Sequence, residues 1–155
     1  IFNIITHGKK TKLNLEKANI LDLYSGVGSF GIECLSRYLC NVVFVEKDPK
    51  ASSNLKKNII DLKITNRVKI ISQDVKIYIK EINNKNKFDL IFLDPPYRDV
   101  AFLNIITLIK EKKMFNKNHK IIIHRERGCE EVLSDYLKID LEKNYGRSKI
   151  IFGSF

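Results

Sequence analysis

The chain is poor in cysteine and histidine, and it has no long apolar run. Its three cysteines, Cys34, Cys40 and Cys129, show no C-x-x-C spacing, and its three histidines, His7, His119 and His124, are scattered. This excludes a disulfide framework and a zinc site, so no metal is expected, and a sparse, odd cysteine set points to a reducing cytoplasm. Cys34 falls on the apolar face of a helix and reads as core filler. None of the histidines has an evident nucleophile to activate. No apolar stretch reaches the ~18 residues that a membrane span needs, and no signal peptide stands at the start. Internal repeats, low-complexity tracts and a second-domain composition shift are missing too. What remains is a chain of 155 residues, 44% of them hydrophobic. That suits one domain burying about 70% of its unfolded surface.

Positive charge is in excess, with 28 Lys and Arg against 18 Asp and Glu, a net +10. Such a surface attracts a polyanion such as RNA. A composition rich in Lys, Asn and Ile also follows from adenine- and thymine-rich codons, so placement says more than the total. Arg98, Arg125, Arg127 and Arg147 all fall near the ends of apolar runs and are the candidate RNA contacts; each can equally be a solvated surface charge.

Strand-like and helix-like segments alternate, which implies an α/β fold with a mostly parallel sheet and helices on both faces. The apolar runs Asn19–Tyr24, Asn41–Val45, Val68–Ile71, Phe88–Leu93 and Lys120–His124 read as strands. Helices are expected from the turn at Ser25–Gly31 to about Leu39, from Pro49 to about Leu62 behind an Asp48 cap, over Val75–Ile82, over about Val100–Lys112 and near Cys129–Leu137. Residues 83–87 form a polar loop. The last runs, Leu137–Leu141 and Lys149–Phe152, flank a turn at Lys143–Gly146 and suit an antiparallel pair. Ligands of such sheets lie outside the carboxyl ends of the strands. Asp22, Glu46, Asp74 and Asp94 all fall at such ends.

Asp94-Pro95-Pro96-Tyr97 carries the chemistry. An exocyclic amine is a poor nucleophile because its lone pair is delocalised into the ring. The Asp94 carboxylate and the Pro95 carbonyl can each accept one of its N–H bonds, turning the lone pair toward an incoming methyl group. The two prolines fix φ and remove backbone donors, and Tyr97 offers a stacking face worth roughly 1–3 kcal/mol per base. The alternative is a Pro-Pro turn that merely closes a strand.

Gly26, Gly28 and Gly31 have the spacing G-x-G-x-x-G, which permits a tight turn and close backbone approach to a ligand. Glu46, twenty positions after Gly26, suits the two hydroxyls of a ribose. A nicotinamide dinucleotide fits this much equally well. Asp22 separates the two: a carboxylate there repels a pyrophosphate but favours the ammonium and sulfonium of S-adenosylmethionine. It can also serve simply as a turn or capping carboxylate. Tyr24, Ser25, Ser29 and Lys47 adjoin these positions and join the candidate cofactor set. Asp74 and the amide of Val75 suit the adenine; Asp74 is also a good N-cap for the helix after it, and the roles are compatible.

Residues Ile20–Arg37, Val45–Asp48, Phe92–Tyr97 and Tyr145–Ile150 resemble the bacterial 16S ribosomal RNA guanine-N2 methyltransferases of the small-subunit methyltransferase D family. The similarity covers nearly the whole chain. It implies a Rossmann-like class I methyltransferase fold, seven strands in the order 3-2-1-4-5-7-6, as a single domain over 1–155. It implies methyl transfer from S-adenosylmethionine to the N2 amine of a guanine in 16S ribosomal RNA or in the small-subunit particle, with Asp94, Pro95, Pro96 and Tyr97 catalytic. A monomer in the cytoplasm, with no membrane attachment, is expected. The family begins with a basic segment containing an Arg-Pro-Thr stretch. That segment is absent here, ahead of the helix that Ile1–Ile5 resembles, so activity depends on whether it holds cofactor or RNA. DNA adenine or cytosine amino-methyltransferases share the Asp-Pro-Pro-aromatic box but need an added target-recognition region, and a protein glutamine methyltransferase prefers Asn at position 94. An NAD-dependent oxidoreductase is disfavoured by Asp22, and a non-enzymatic RNA-binding remnant is the remaining alternative.

Overall fold

The computed structural model describes residues 1–83, 85–129 and 131–155. Five strands are fed by crossovers: β1 (Asn19–Leu23), β2 (Asn41–Val45), β3 (Val68–Ile71), β4 (Phe88–Leu93) and β5 (Phe115–Glu126). They run parallel, and a hairpin of β6 (Lys138–Tyr145) and β7 (Ser148–Ser154) completes one sheet in the order β3-β2-β1-β4-β5-β7-β6. β7 is antiparallel to both β5 and β6, so six strands share a direction and one opposes them. This is the expected sheet.

Strand alternation sorts the core into two layers. Ile20, Leu90, Phe92, Ile122, Ile150 and Phe152 point to one face, where they pack with Ile5 of α1 (Phe2–His7), Phe30, Cys34 and Leu35 of α2 (Ser29–Arg37), and Leu55 and Ile59 of α3 (Pro49–Asp61). Leu21, Leu23, Ile91, Leu93, Ile121 and Ile123 point to the other, against Val75 and Ile79 of α4 (Val75–Glu81) and Phe102, Ile105 and Ile109 of α5 (Phe102–Glu111). Cys34 is fully buried as filler. Asp48 caps α3 as expected, accepting the Ala51 amide at 2.7 Å ahead of a proline at the first helical position.

Three expectations shift. β5 runs to Glu126, so Arg125 lies inside the strand and not beyond it. The final hairpin turns at Gly146–Arg147, with Gly146 at φ 57°, and Lys143–Tyr145 stay in the ladder. Of the helix expected over Cys129–Leu137, only a short 3₁₀ turn at Leu133–Asp135 forms among the described residues; Glu130 lies outside them, as does Asn84 of the polar loop. Among the described residues no helix is long and apolar enough to cross a membrane.

Candidate active site

Two cavities open at the carboxyl ends of β1 and β4. The first, about 270 Å³, is walled by Glu46, Lys47, Asp74, Val75 and the segment Asp94–Tyr97. The second, about 520 Å³, is walled by Asp22, Ser25, Gly26, Ser29 and the rings of Phe2, Phe30 and Phe92. Tyr24 and Asp94 belong to both walls. Residues read from the sequence as catalytic and cofactor-holding therefore meet in one place, with one exception, and one of the expected RNA contacts also falls elsewhere.

Gly28 is the exception. At φ 87° it makes the turn into α2, but a Cβ there would meet Leu55 Cδ1 at 2.4 Å, so it faces the core and shapes the loop without lining a cavity. Arg125 is that expected RNA contact. It is fully buried, on the α5 side of the sheet, with its guanidinium 4.6 Å from the centre of the Phe102 ring. It donates to the carbonyls of Pro95 at 3.3 Å, Pro96 at 3.0 Å and Tyr97 at 2.8 Å, and pairs with Glu131. The expectation that Arg125 contacts RNA is corrected: alternation along β5 turns it inward, where it clamps the Pro-Pro loop. The Pro95 carbonyl, expected to be a free acceptor for the amine, already receives one of these N–H groups.

The glycine loop is held by carboxylates. Glu46 accepts the Gly26 amide through Oε2 at 2.8 Å and the Asp48 amide through Oε1 at 2.7 Å. Asp22 accepts the Gly31 amide through Oδ2 at 3.0 Å, while its Oδ1 and the buried Ser25 hydroxyl have no partner among the described residues. Burial raises the Asp22 carboxyl to about 8, against the Gly31 hydrogen bond, and the charges of Asp94 and Glu46 add to the rise. Asp74 does cap α4, accepting the Lys76 amide at 2.9 Å, and stands 3.5 Å from Lys47 Nζ. Tyr24 sits at φ 58°, a left-handed strain that clusters at functional sites, and burial pushes its phenol up.

His124 was not legible as a site residue. Its Nδ1 lies 2.8 Å from Asp94 Oδ1 and its Nε2 2.9 Å from Ser148 Oγ. His124 lies inside the expected strand, but only the register of β4 beside β5, with Leu93 paired to Ile123, reveals that it meets Asp94. Arg98, Arg127 and Arg147 are exposed on this rim, and the Arg127 amide donates to the Arg147 carbonyl at 2.7 Å. Among the described residues no three ligating side chains gather as for a metal.

A parallel sheet with this order, a glycine loop after β1 and an acid-Pro-Pro-aromatic segment after β4 together define a class I methyltransferase. The chain belongs to the family described as conserved hypothetical protein 95, whose model matches residues 1–154. It is similar to ribosomal RNA small subunit methyltransferase D of Buchnera aphidicola subsp. Baizongia pistaciae, 31% identical over all of this chain and 75% of that protein. The protein of the same name from Buchnera aphidicola subsp. Acyrthosiphon pisum is 37% identical over 73% of this chain and 58% of its own length. Among solved structures, a conserved hypothetical protein from Streptococcus pyogenes superposes with a TM-score of 0.80 at 29% identity, covering 90% of this chain and 88% of that one.

Proposed function

We propose that this chain transfers a methyl group from S-adenosylmethionine to the exocyclic N2 amine of a guanine in 16S ribosomal RNA. The observation that carries this reading is the place of Asp94, whose carboxylate borders both cavities and is partly open to solvent. A group bound in the cavities and a base entering from the rim both reach it. The names of the curated relatives support ribosomal RNA as the substrate.

The residues present fit the cofactor. Glu46 retains free lone pairs for the ribose hydroxyls beyond the two amides it accepts. Asp74 and Val75 stand where an adenine edge is held in this reading, and the unpartnered Asp22 oxygen favours a cation beside it. When bound, S-adenosylmethionine supplies a methyl group on a positively charged sulfur. Asp94 accepts an N–H of the amine and orients its lone pair, and Tyr97, 45% exposed, stacks on the base. Catalysis then comes from positioning and exclusion of water. The bound cofactor would supply the methyl group to the amine nitrogen, and the electron pair of its carbon–sulfur bond would remain on sulfur. The amine proton passes to Asp94 or to water. Arg98, Arg127 and Arg147 hold RNA phosphates, and the base leaves its stack at a cost of a few kcal/mol.

Incubating the protein with methyl-labelled cofactor and, separately, small-subunit particles, naked ribosomal RNA, DNA and protein tests the reading. Label is expected in RNA, recovered as N2-methylguanosine. Label confined to DNA or protein would contradict it.

A further inference from the structure

His124 on β5 and Asp94, the first residue past β4, stand on neighbouring parallel segments, and both side chains project to the face that carries α2, in step with Phe92 and Ile122. A carboxylate only accepts, so Nδ1 of His124 carries the proton in its 2.8 Å contact with Asp94 Oδ1. In a neutral ring Nε2 is then an acceptor, and the Ser148 hydroxyl, 2.9 Å away, donates to it. The Tyr97 ring meets the imidazole edge-on, with centroids 6.1 Å apart. The His124 side chain is 21% exposed against 43% for Asp94. A mostly buried ring, fixed at both nitrogens and flanked by an aromatic, thus grips one oxygen of a more exposed carboxylate.

Methyl transfer from a cationic sulfur does not itself require a histidine, since the amine becomes acidic as it is methylated. What the reaction requires is a carboxylate that does not wander. An unsupported aspartate at a strand end samples several rotamers, and misplacement by about 1 Å can cost roughly 10²-fold in rate. Fixing Oδ1 leaves Oδ2, which has no hydrogen-bond partner among the described residues, as the oxygen presented to the amine.

We propose that His124 is a positioning residue: through its Nδ1–H it sets the orientation of the Asp94 carboxylate, and Ser148 selects the tautomer that allows this. The inference rests on the reading of Asp94 as the acceptor for a substrate amine. His124 itself touches neither amine nor methyl donor.

Asparagine and glutamine separate this role from a merely structural one, because Asn places its N–H₂ near the Nδ1 position and Gln places it near Nε2. His124→Asn is expected to keep kcat within about threefold, while His124→Gln and His124→Ala lose about 10- to 100-fold in kcat. KM for RNA and calorimetric affinity for S-adenosylmethionine should stay within about twofold throughout, as expected of a lost orientation rather than lost binding. Ser148→Ala, at a position that lines neither cavity, is expected to lower kcat less and leave the fold intact. Nitrogen-15 spectra of the wild-type imidazole give a readout independent of turnover and should show Nδ1 protonated. Equal kcat for the Asn and Gln variants, in a wild-type enzyme that does methylate RNA, overturns the positioning role alone, as does an imidazole protonated only at Nε2. A wild-type chain that methylates no RNA overturns the functional reading instead, and the positioning role with it.

Discussion

Asp22 carries the strongest electrostatic signature among the residues of the site. Its carboxyl ordinarily titrates near 3.8, and burial raises it to about 8 in the folded chain. Between those values the folded state holds a proton that the unfolded state has released. The stability contributed by that proton is complete below about pH 4 and is lost as pH rises through 8. Thermal midpoints measured from pH 5 to 8 should therefore fall for the wild type relative to Asp22→Asn, which has no proton to lose; parallel curves would show that Asp22 ionises normally. In the proposed complex a cation beside Asp22 favours the carboxylate, so cofactor binding near pH 7 should release a proton, seen in calorimetry as a buffer-dependent heat that Asp22→Asn lacks. Glu46→Ala should weaken cofactor affinity more than RNA affinity. Equal losses would make Glu46 a brace for the glycine loop, through the Gly26 and Asp48 amides, and nothing more.

β5 is the element at which sequence and structure part. β2, β3 and β4 coincide with the apolar runs Asn41–Val45, Val68–Ile71 and Phe88–Leu93; inner strands covered on both faces need near-continuous apolar residues, and the half-buried edge strand β3 keeps three apolar positions of four. β5 begins at Phe115, which pairs with Phe88, passes through a polar stretch, Asn116-Lys117-Asn118, that no hydrophobic pattern marks, and resumes its ladder with β4 at Lys120 and with β7 from Ile121 to Glu126. At its other end the ladder with β7 carries the strand through Arg125 and Glu126 and turns Arg125 inward, while His124, inside the expected strand, meets Asp94 only because Leu93 pairs with Ile123; neither hold on the Asp-Pro-Pro-Tyr segment was legible, although the segment itself was plain. The helix expected over Cys129–Leu137 fails for a related reason: Glu131 is tied to Arg125, and the Cys129 carbonyl accepts Lys149 Nζ at 3.0 Å. Arg125→Met leaves Glu131 and three loop carbonyls without their buried partner and should cost roughly 3–5 kcal/mol of stability, measured by urea unfolding. Arg125→Met combined with Glu131→Gln should recover part of that. In α2, a methyl group at Gly31 would stand 2.3 Å from the Phe44 ring; Gly31→Ala should destabilise by about 1–3 kcal/mol through overpacking, and an unchanged midpoint would show that the helix can slide away from β2.

For the molecule as a whole, fold and function follow from which edge of the sheet gathers charge. Acidic groups meet at the carboxyl ends of β1 to β4, while Arg98, Arg127 and Arg147 ring the same edge from outside. Negative charge within suits a cationic donor, and positive charge around it suits a polyanion. Replacing the three arginines together by glutamine should reduce the slope of log affinity for RNA against log salt by about 2, with cofactor affinity unchanged. An unaltered slope would place the RNA on another face of this lysine-rich surface.

The central claim is that Asp94 orients the amine that receives the methyl group. Its most direct test is single-turnover methylation of small-subunit particles by Asp94→Ala at saturating S-adenosylmethionine, with binding followed separately by calorimetry. The rate is expected to fall about 10²–10³-fold, as when one transition-state hydrogen bond is removed, while cofactor affinity changes only a few-fold. An Asp94→Ala enzyme that methylates at the wild-type rate would contradict the claim.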